Sequence, residues 1–166
     1  NDDGLVSLTS NPMKQYMYIV DTVQKTSLLS CPLSATGIAS TCALAPGGTA
    51  TKFGSPQSAA ITTINGTQYI YTAGQGYIDI TGLTPSAITQ CTLGTGGSMS
   101  SCIQVTQSDY SWIANPGRIT IATIGNTQYA YTTDVTNNNV TRCTLDPTSV
   151  FSSCQDAAPG ENFDGT

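Results

Sequence analysis

Apolar and polar positions alternate in short runs along this chain, and each run stops at glycine, proline, asparagine or serine. In the middle third the runs read AITTI (60–64), TQYIYTA (67–73), AITQCTL (87–93) and MSSCIQV (99–105). Their lengths and their β-branched and aromatic side chains are those of strands in a sheet. Asn65-Gly66, between the first two runs, is a strong signal for a two-residue hairpin. No stretch keeps a helical period over a dozen residues. The pattern therefore predicts an antiparallel meander of four strands.

That meander recurs. Gln-Tyr-x-Tyr appears in QYMYIVD from Gln15, TQYIYTA from Thr67 and TQYAYTT from Thr127, each time upstream of two cysteines. Cys42 to Tyr69 and Cys102 to Tyr129 are both separations of 27 residues, and Pro56 aligns with Pro116, Ile61 with Ile121. The first copy keeps only the alternation and Pro12, and the second carries extra residues within GQGYIDITGLTPSA, where a loop insertion is expected. The expectation is an all-β chain of three tandem four-stranded antiparallel blades, with a period of roughly fifty to sixty residues, the size of a propeller blade. Residues 1–166 form a single repeat domain on this reading, with blade 1 at about 3–47, blade 2 at about 56–107 and blade 3 at about 116–158.

The six cysteines are Cys31, Cys42, Cys91, Cys102, Cys143 and Cys154. Six allow fifteen connectivities, but the equal spacing and the turn midway in each pair select Cys31 with Cys42, Cys91 with Cys102 and Cys143 with Cys154. Chain reversal at the midpoint sets each pair directly opposite on neighbouring strands, within disulfide reach. Reduced buried thiols are the alternative. Structural zinc fits worse, because its ligands stand two to four residues apart or include histidine, and the chain has no histidine. An even count in register points to an oxidising compartment, hence a secreted or extracellular protein. A bridge closing so short a loop contributes about 3 kcal/mol through the denatured state.

Composition narrows the function. Only 9% of residues are charged, and Ser and Thr together make up roughly a quarter. The net charge of −5 and the scattered Lys14, Lys25, Lys52, Arg118 and Arg142 argue against nucleic acid as a partner. No apolar run has the length of a membrane span, and no signal peptide opens the chain, so the sequence reads as a mature, soluble segment. Without histidine there is no Ser-His-Asp or Cys-His arrangement, and Glu161 is the sole glutamate. No catalysis and no cofactor are expected.

Binding residues are fewer. Each tyrosine pair shares one strand face; a sugar-stacking ring is conceivable, but recurrence at one place in every copy favours a role in the core between blades. AITTI and ITIATI (119–124) would line a channel with threonine while isoleucine packs between blades. Asp109, Tyr110 and Trp112 combine a carboxylate with two aromatics, a composition suited to a glycan, although Phe53 near the same place in the preceding junction makes an aromatic plug the better reading. Asp21 and Asp134 are equivalent and could help to hold calcium. Gly74 stands there in the second copy, so a turn role is favoured and no metal site is assigned. The sequons at Asn65 and Asn139 read as turn or loop asparagines.

Tyr-x-Tyr followed by Cys-x-Leu-x-x-x-Gly-x-x-x-x-Cys, as in CPLSATGIASTC and CTLGTGGSMSSC, resembles the NHL- or YVTN-type β-propeller repeats of secreted bacterial proteins; CTLDPTSVFSSC departs from it with Ser149 in place of glycine. The resemblance implies a propeller and leaves function open. Three blades form an open arc, or part of a ring, because propellers close with about four to eight. Further blades beyond this segment, two copies in one ring, or a filament would cover the ends, and in APGENFDGT, Phe163 falls near the aromatic position of a fourth copy. The expected function is a non-catalytic extracellular module that binds or scaffolds a protein or glycan ligand, or a structural subunit that assembles with itself through its end blades.

Overall fold

The computed structural model describes residues 6–8, 15–21, 27–47, 53, 55–74, 77–79, 82–84, 87–105, 115–146 and 149–161. Blade 1 is an antiparallel sheet of β1 (Val6–Leu8), β2 (Tyr16–Asp21), β3 (Ser27–Pro32) and β4 (Ala43–Leu44). Blade 2 opens with β5 (Pro56–Ile64) and β6 (Thr67–Gly74). The insertion then folds on itself as a hairpin, β7 (Tyr77–Asp79) with β8 (Gly82–Thr84), before the blade resumes with β9 (Ala87–Leu93) and β10 (Met99–Val105). Blade 3 is β11 (Pro116–Ile124), β12 (Thr127–Asp134), β13 (Asn139–Asp146) and β14 (Ser149–Asp156). In all three the strands pair in chain order, as the alternation predicts.

The inner hairpins obey their turn residues. Asn65 and Gly66 both take positive φ (49° and 79°), the type I′ pattern that suits the twist of the flanking strands. In blade 3 the order is reversed, and Gly125 alone is positive (61°), as in type II′.

All three predicted disulfides form, with Cα–Cα separations of 4.2, 4.1 and 4.0 Å in chain order. Their setting differs from simple facing pairs. Ser100 faces Thr92 and Ile103 faces Gln90, so Ser101 and Cys102 together oppose Cys91 in a bulge. Blade 3 repeats it, with Ser153 and Cys154 opposite Cys143. Both bulge serines adopt φ of 48°, which swings the following cysteine toward its partner. Blade 1 keeps that spacing: Leu33 bridges Ala39, Ser40 N–H donates to the Pro32 carbonyl at 2.9 Å and Ser30 faces Ala43, so Thr41 and Cys42 oppose Cys31. Regular pairing in its outer strand is limited to the two residues of β4, after a Ser34–Gly37 turn in which Ser34 Oγ accepts from Ile38 N–H at 3.0 Å.

The blades stack face to face, with β11 against β5 and β6, and β1 and β2 against β5. Between blades 1 and 2 lies a core that includes Tyr16, Tyr18, Val20, Phe53, Ile70 and Met99. A second core, between blades 2 and 3, includes Tyr71, Ile88, Ile119, Leu145 and Phe151. Blade 2 is sandwiched, so β9 is buried without interruption from Ala87 to Cys91, as for strands covered on both sides. Among the inner-strand threonines Thr62 serves this stacking, its Oγ1 donating to Gln128 Oε1 of blade 3 at 3.1 Å, while Thr63, Thr120 and Thr123 are exposed. Full burial of each large apolar side chain contributes about 1.5–3 kcal/mol.

Candidate functional site

Each blade has a leading face, turned toward the blade before it, and a trailing face, turned toward the blade after it. Strand alternation assigns the tyrosine pairs to trailing faces. Tyr16 and Tyr18 enter the core against blade 2, and Tyr69 and Tyr71 pack against blade 3. Tyr71 stacks on Phe151 with ring centroids 6.0 Å apart, and its hydroxyl accepts from Gln90 Nε2 at 2.9 Å. These tyrosines pack in or against the cores between blades, as the repeat predicts. Burial pushes the Tyr18 hydroxyl up to about 12, helped by Tyr16 alongside. Tyr71 also rises to about 12, chiefly through burial, with the Gln90 hydrogen bond working against the shift and Tyr69 adding to it.

The third pair differs. Tyr129 and Tyr131 alternate with buried Ala130, which faces blade 2, and so look outward from blade 3, half-buried, with no following blade upon them among the described residues. Register places Ile124, Tyr129, Tyr131 and Val140 where blade 2 has Ile64, Tyr69, Tyr71 and Ile88. Ile88 is buried and Ile64 packs on the core, whereas Ile124 is 56% exposed. Two substitutions accompany the change. Arg118 stands in the place of Ser58, whose hydroxyl accepts from Ile119 N–H at 2.8 Å, and Arg142 in that of Gln90. The Arg142 guanidinium lies 5.0 Å from the Tyr129 ring centroid, a cation–π contact. Beside Tyr131, a groove of about 140 Å³ is bounded by Val140 and Arg118.

The opposite end of the stack is the leading face of blade 1. Met17, Ile19 and Leu29 are half-buried and Leu44 is 62% exposed. The same positions of blade 2 carry Ile70, Thr72, Thr89 and Gln104. The end face is therefore more apolar than the equivalent face inside the stack.

The remaining candidates resolve unevenly. Phe53 is fully buried in the core between blades 1 and 2. Asp109, Tyr110, Trp112 and Phe163 lie outside the described residues. Asp134 serves a turn: Oδ1 accepts from the N–H groups of Thr136 (2.9 Å) and Asn137 (3.0 Å), and Oδ2 from Asn115 N–H (3.1 Å). No group of three His, Cys, Asp or Glu converges among the described residues. Asn65 sits in an exposed turn, but Asn139 opens β13, half-buried, with its side-chain oxygen unpartnered, so it is a strand residue rather than a loop one. A cleft of about 440 Å³ between the inner hairpin tips of blades 2 and 3 is lined by Thr63, Asn65, Asn126 and Gln128 among others, with no charged side chain. No helix among the described residues is long and apolar enough to cross a membrane.

Sequence reasoning missed the residue that meets each tyrosine pair. It stands three before the second cysteine: Met99 in blade 2 and Phe151 in blade 3. Large apolar side chains at that fixed offset were the available signal.

No protein-family model matches the chain, and no curated protein does. The likeness to NHL- or YVTN-type repeats rests on the motif alone. Among solved structures, the chain resembles the cryo-EM structure of Morganella morganii TcdA4, with a TM-score of 0.41 and 14% identity, over 86% of this chain and 7% of that one. At that score the likeness carries no functional weight. The three disulfides suit an oxidising, extracellular environment.

Proposed function

We propose that this chain is a non-catalytic extracellular assembly module, a stack of stapled blades that works by docking its two end faces. One observation carries the reading: no following blade lies upon Tyr129 and Tyr131 among the described residues, in the register where the next blade buries Tyr16, Tyr18 and Tyr71 and half-buries Tyr69. Contiguous apolar surface on a soluble domain marks a contact site. The substitutions point the same way, because arginine is enriched where separately folded partners meet, whereas the joint between blades 2 and 3 has Ser58 and Gln90 at those two places. Asp134 is engaged in a turn and every cysteine is in a bridge, which leaves assembly better supported than chemistry.

Sedimentation of the oxidised chain across a wide concentration range tests this reading. A mass above that of one chain, rising with concentration, is the expected result. A monomer at every concentration that binds a glycan array would overturn it in favour of a lectin-like module.

A further inference from the structure

We propose that two copies of this chain join head to tail at both ends and complete a six-bladed ring, with Tyr129 of each copy seated on Gly37 of the other and Tyr131 facing Ala39. The inference rests on the assembly reading above and adds to it a register and a stoichiometry.

The register comes from the joint between blades 1 and 2. There the bare α-carbon of Gly97 lies against the Tyr16 ring, and a Cβ at that position would come within 2.7 Å of a ring carbon. At that joint the seat requires glycine, whereas blade 3 has Ser149 at the equivalent place. Gly37 follows the first cysteine of its pair by six residues, as Gly97 does, and has nearly the same φ (78° against 74°). Nothing lies within 4 Å of where its Cβ would be. Tyr129 stands in blade 3 where Tyr16 stands in blade 1, each facing the residue after the first cysteine across the ladder. One end of the molecule thus presents the ring, and the other an open copy of the seat that such a ring occupies.

A second correspondence strengthens the first. The position that meets the second tyrosine inside the stack is Met99 or Phe151, and in blade 1 it is Ala39, beside Ile38, which is 70% exposed. Alanine leaves room, and the groove beside Tyr131 has space for the bulk of Ile38. Met17, Ile19, Leu29 and Leu44 supply the surrounding apolar face, richer than its buried counterpart in blade 2. A terminal blade built to remain in water carries a polar outer face instead.

Stoichiometry follows from closure. Propellers close with about four to eight blades, so three are too few, nine too many, and two copies give six. A heterologous contact used twice about a two-fold axis closes without leaving an end free.

The test replaces Tyr131 in the full chain with the photoreactive, still aromatic p-benzoylphenylalanine and irradiates a mixture of isotopically light and heavy copies. Native mass spectrometry should show a dimer, and peptide mapping should place light-to-heavy crosslinks within residues 37–44. Ile38→Asp, at an exposed position, should weaken the dimer about tenfold or more while all three disulfides, and the thermal midpoint at dilutions where no dimer persists, stay unchanged. A dimer crosslinked through residues 129–144 of both copies would overturn this register and leave the assembly reading standing. A ladder of masses beyond the dimer would overturn the ring. Monomers throughout would overturn both the ring and the assembly reading.

Discussion

Strands β9 and β13 hold the same place in their blades and pair with the tyrosine strands in the same register, yet they are buried differently. From Ala87 to Cys91, β9 is covered at every residue, whereas β13 is covered only at Thr141, Cys143 and Leu145. The strands themselves are alike; what differs is that a following blade lies upon β9 and, among the described residues, none lies upon β13. The sequence has adapted to that difference at single positions, with Thr120 for Ala60, Thr133 for Ala73, Arg118 for Ser58 and Arg142 for Gln90. These changes make the face more polar and leave the tyrosines in place. The comparison separates what makes a blade from what makes a joint: the first is repeated throughout, and the second is adjusted locally.

The sharpest way to break the comparison is to truncate the two equivalent tyrosines. Tyr71→Ala should cost about 3–5 kcal/mol, and Tyr131→Ala only about 1 kcal/mol in the monomer, as measured by urea denaturation at dilutions where no dimer persists. Equal losses would mean that the two faces are equally covered. Removing the staple of the sandwiched blade, by Cys91→Ala with Cys102→Ala, should cost about 3 kcal/mol on the loop-closure account. Access should set the order of reduction. Cys42 is exposed and Cys102 half-buried, so alkylation under limiting reductant should label the blade 1 pair first.

Smaller effects sharpen the contrast. Gln90→Leu removes the buried donor to Tyr71 and should cost about 1–2 kcal/mol, while Arg142→Leu, losing a half-buried cation–π contact, should cost about 1 kcal/mol or less; a double-mutant cycle with each tyrosine would measure both. Alkali probes the covered set separately. The Tyr18 and Tyr71 hydroxyls are raised to about 12 in the fold, above the ordinary 10, so the folded state holds protons that the unfolded chain releases. Stability should therefore be undiminished below pH 10 and fall as the pH rises from 10 toward 12, with two late phenolate transitions in the ultraviolet titration. The smallest change should be a gain. Ser101→Gly and Ser153→Gly each relieve a left-handed backbone and should stabilise by up to about 1 kcal/mol, equally in both blades, since the bulge is common to both.

The layout of the blades was legible because it is written in residue identity at fixed offsets. Paired cysteines, Tyr-x-Tyr and the Asn65-Gly66 turn each correspond to one geometric demand. The bulges were not legible, because Ser101 and Ser153 are serines in a conformation that glycine or asparagine would advertise. Nor was the shortness of blade 1's outer strand: residues 38–44 keep an apolar rhythm, but Pro32 has no N–H to donate across the ladder, and regular pairing holds only at Ala43 and Leu44, with a single bridge between Leu33 and Ala39. The candidate site was half legible. The repeat located the tyrosines, but alternation alone cannot tell which of two apolar faces has a neighbour. That depends on how many blades follow, and the arginine substitutions acquire meaning only once β9 and β13 are superposed in register.

The inserted hairpin has a practical consequence. Gly74 and Ala87 still pair as the last rung of the β6–β9 ladder, so blade 2 closes beneath residues 75–86 as if they were absent. Foreign sequence grafted between those two positions would project from the rim and leave both cores undisturbed, which would turn the stack into a carrier for displayed peptides.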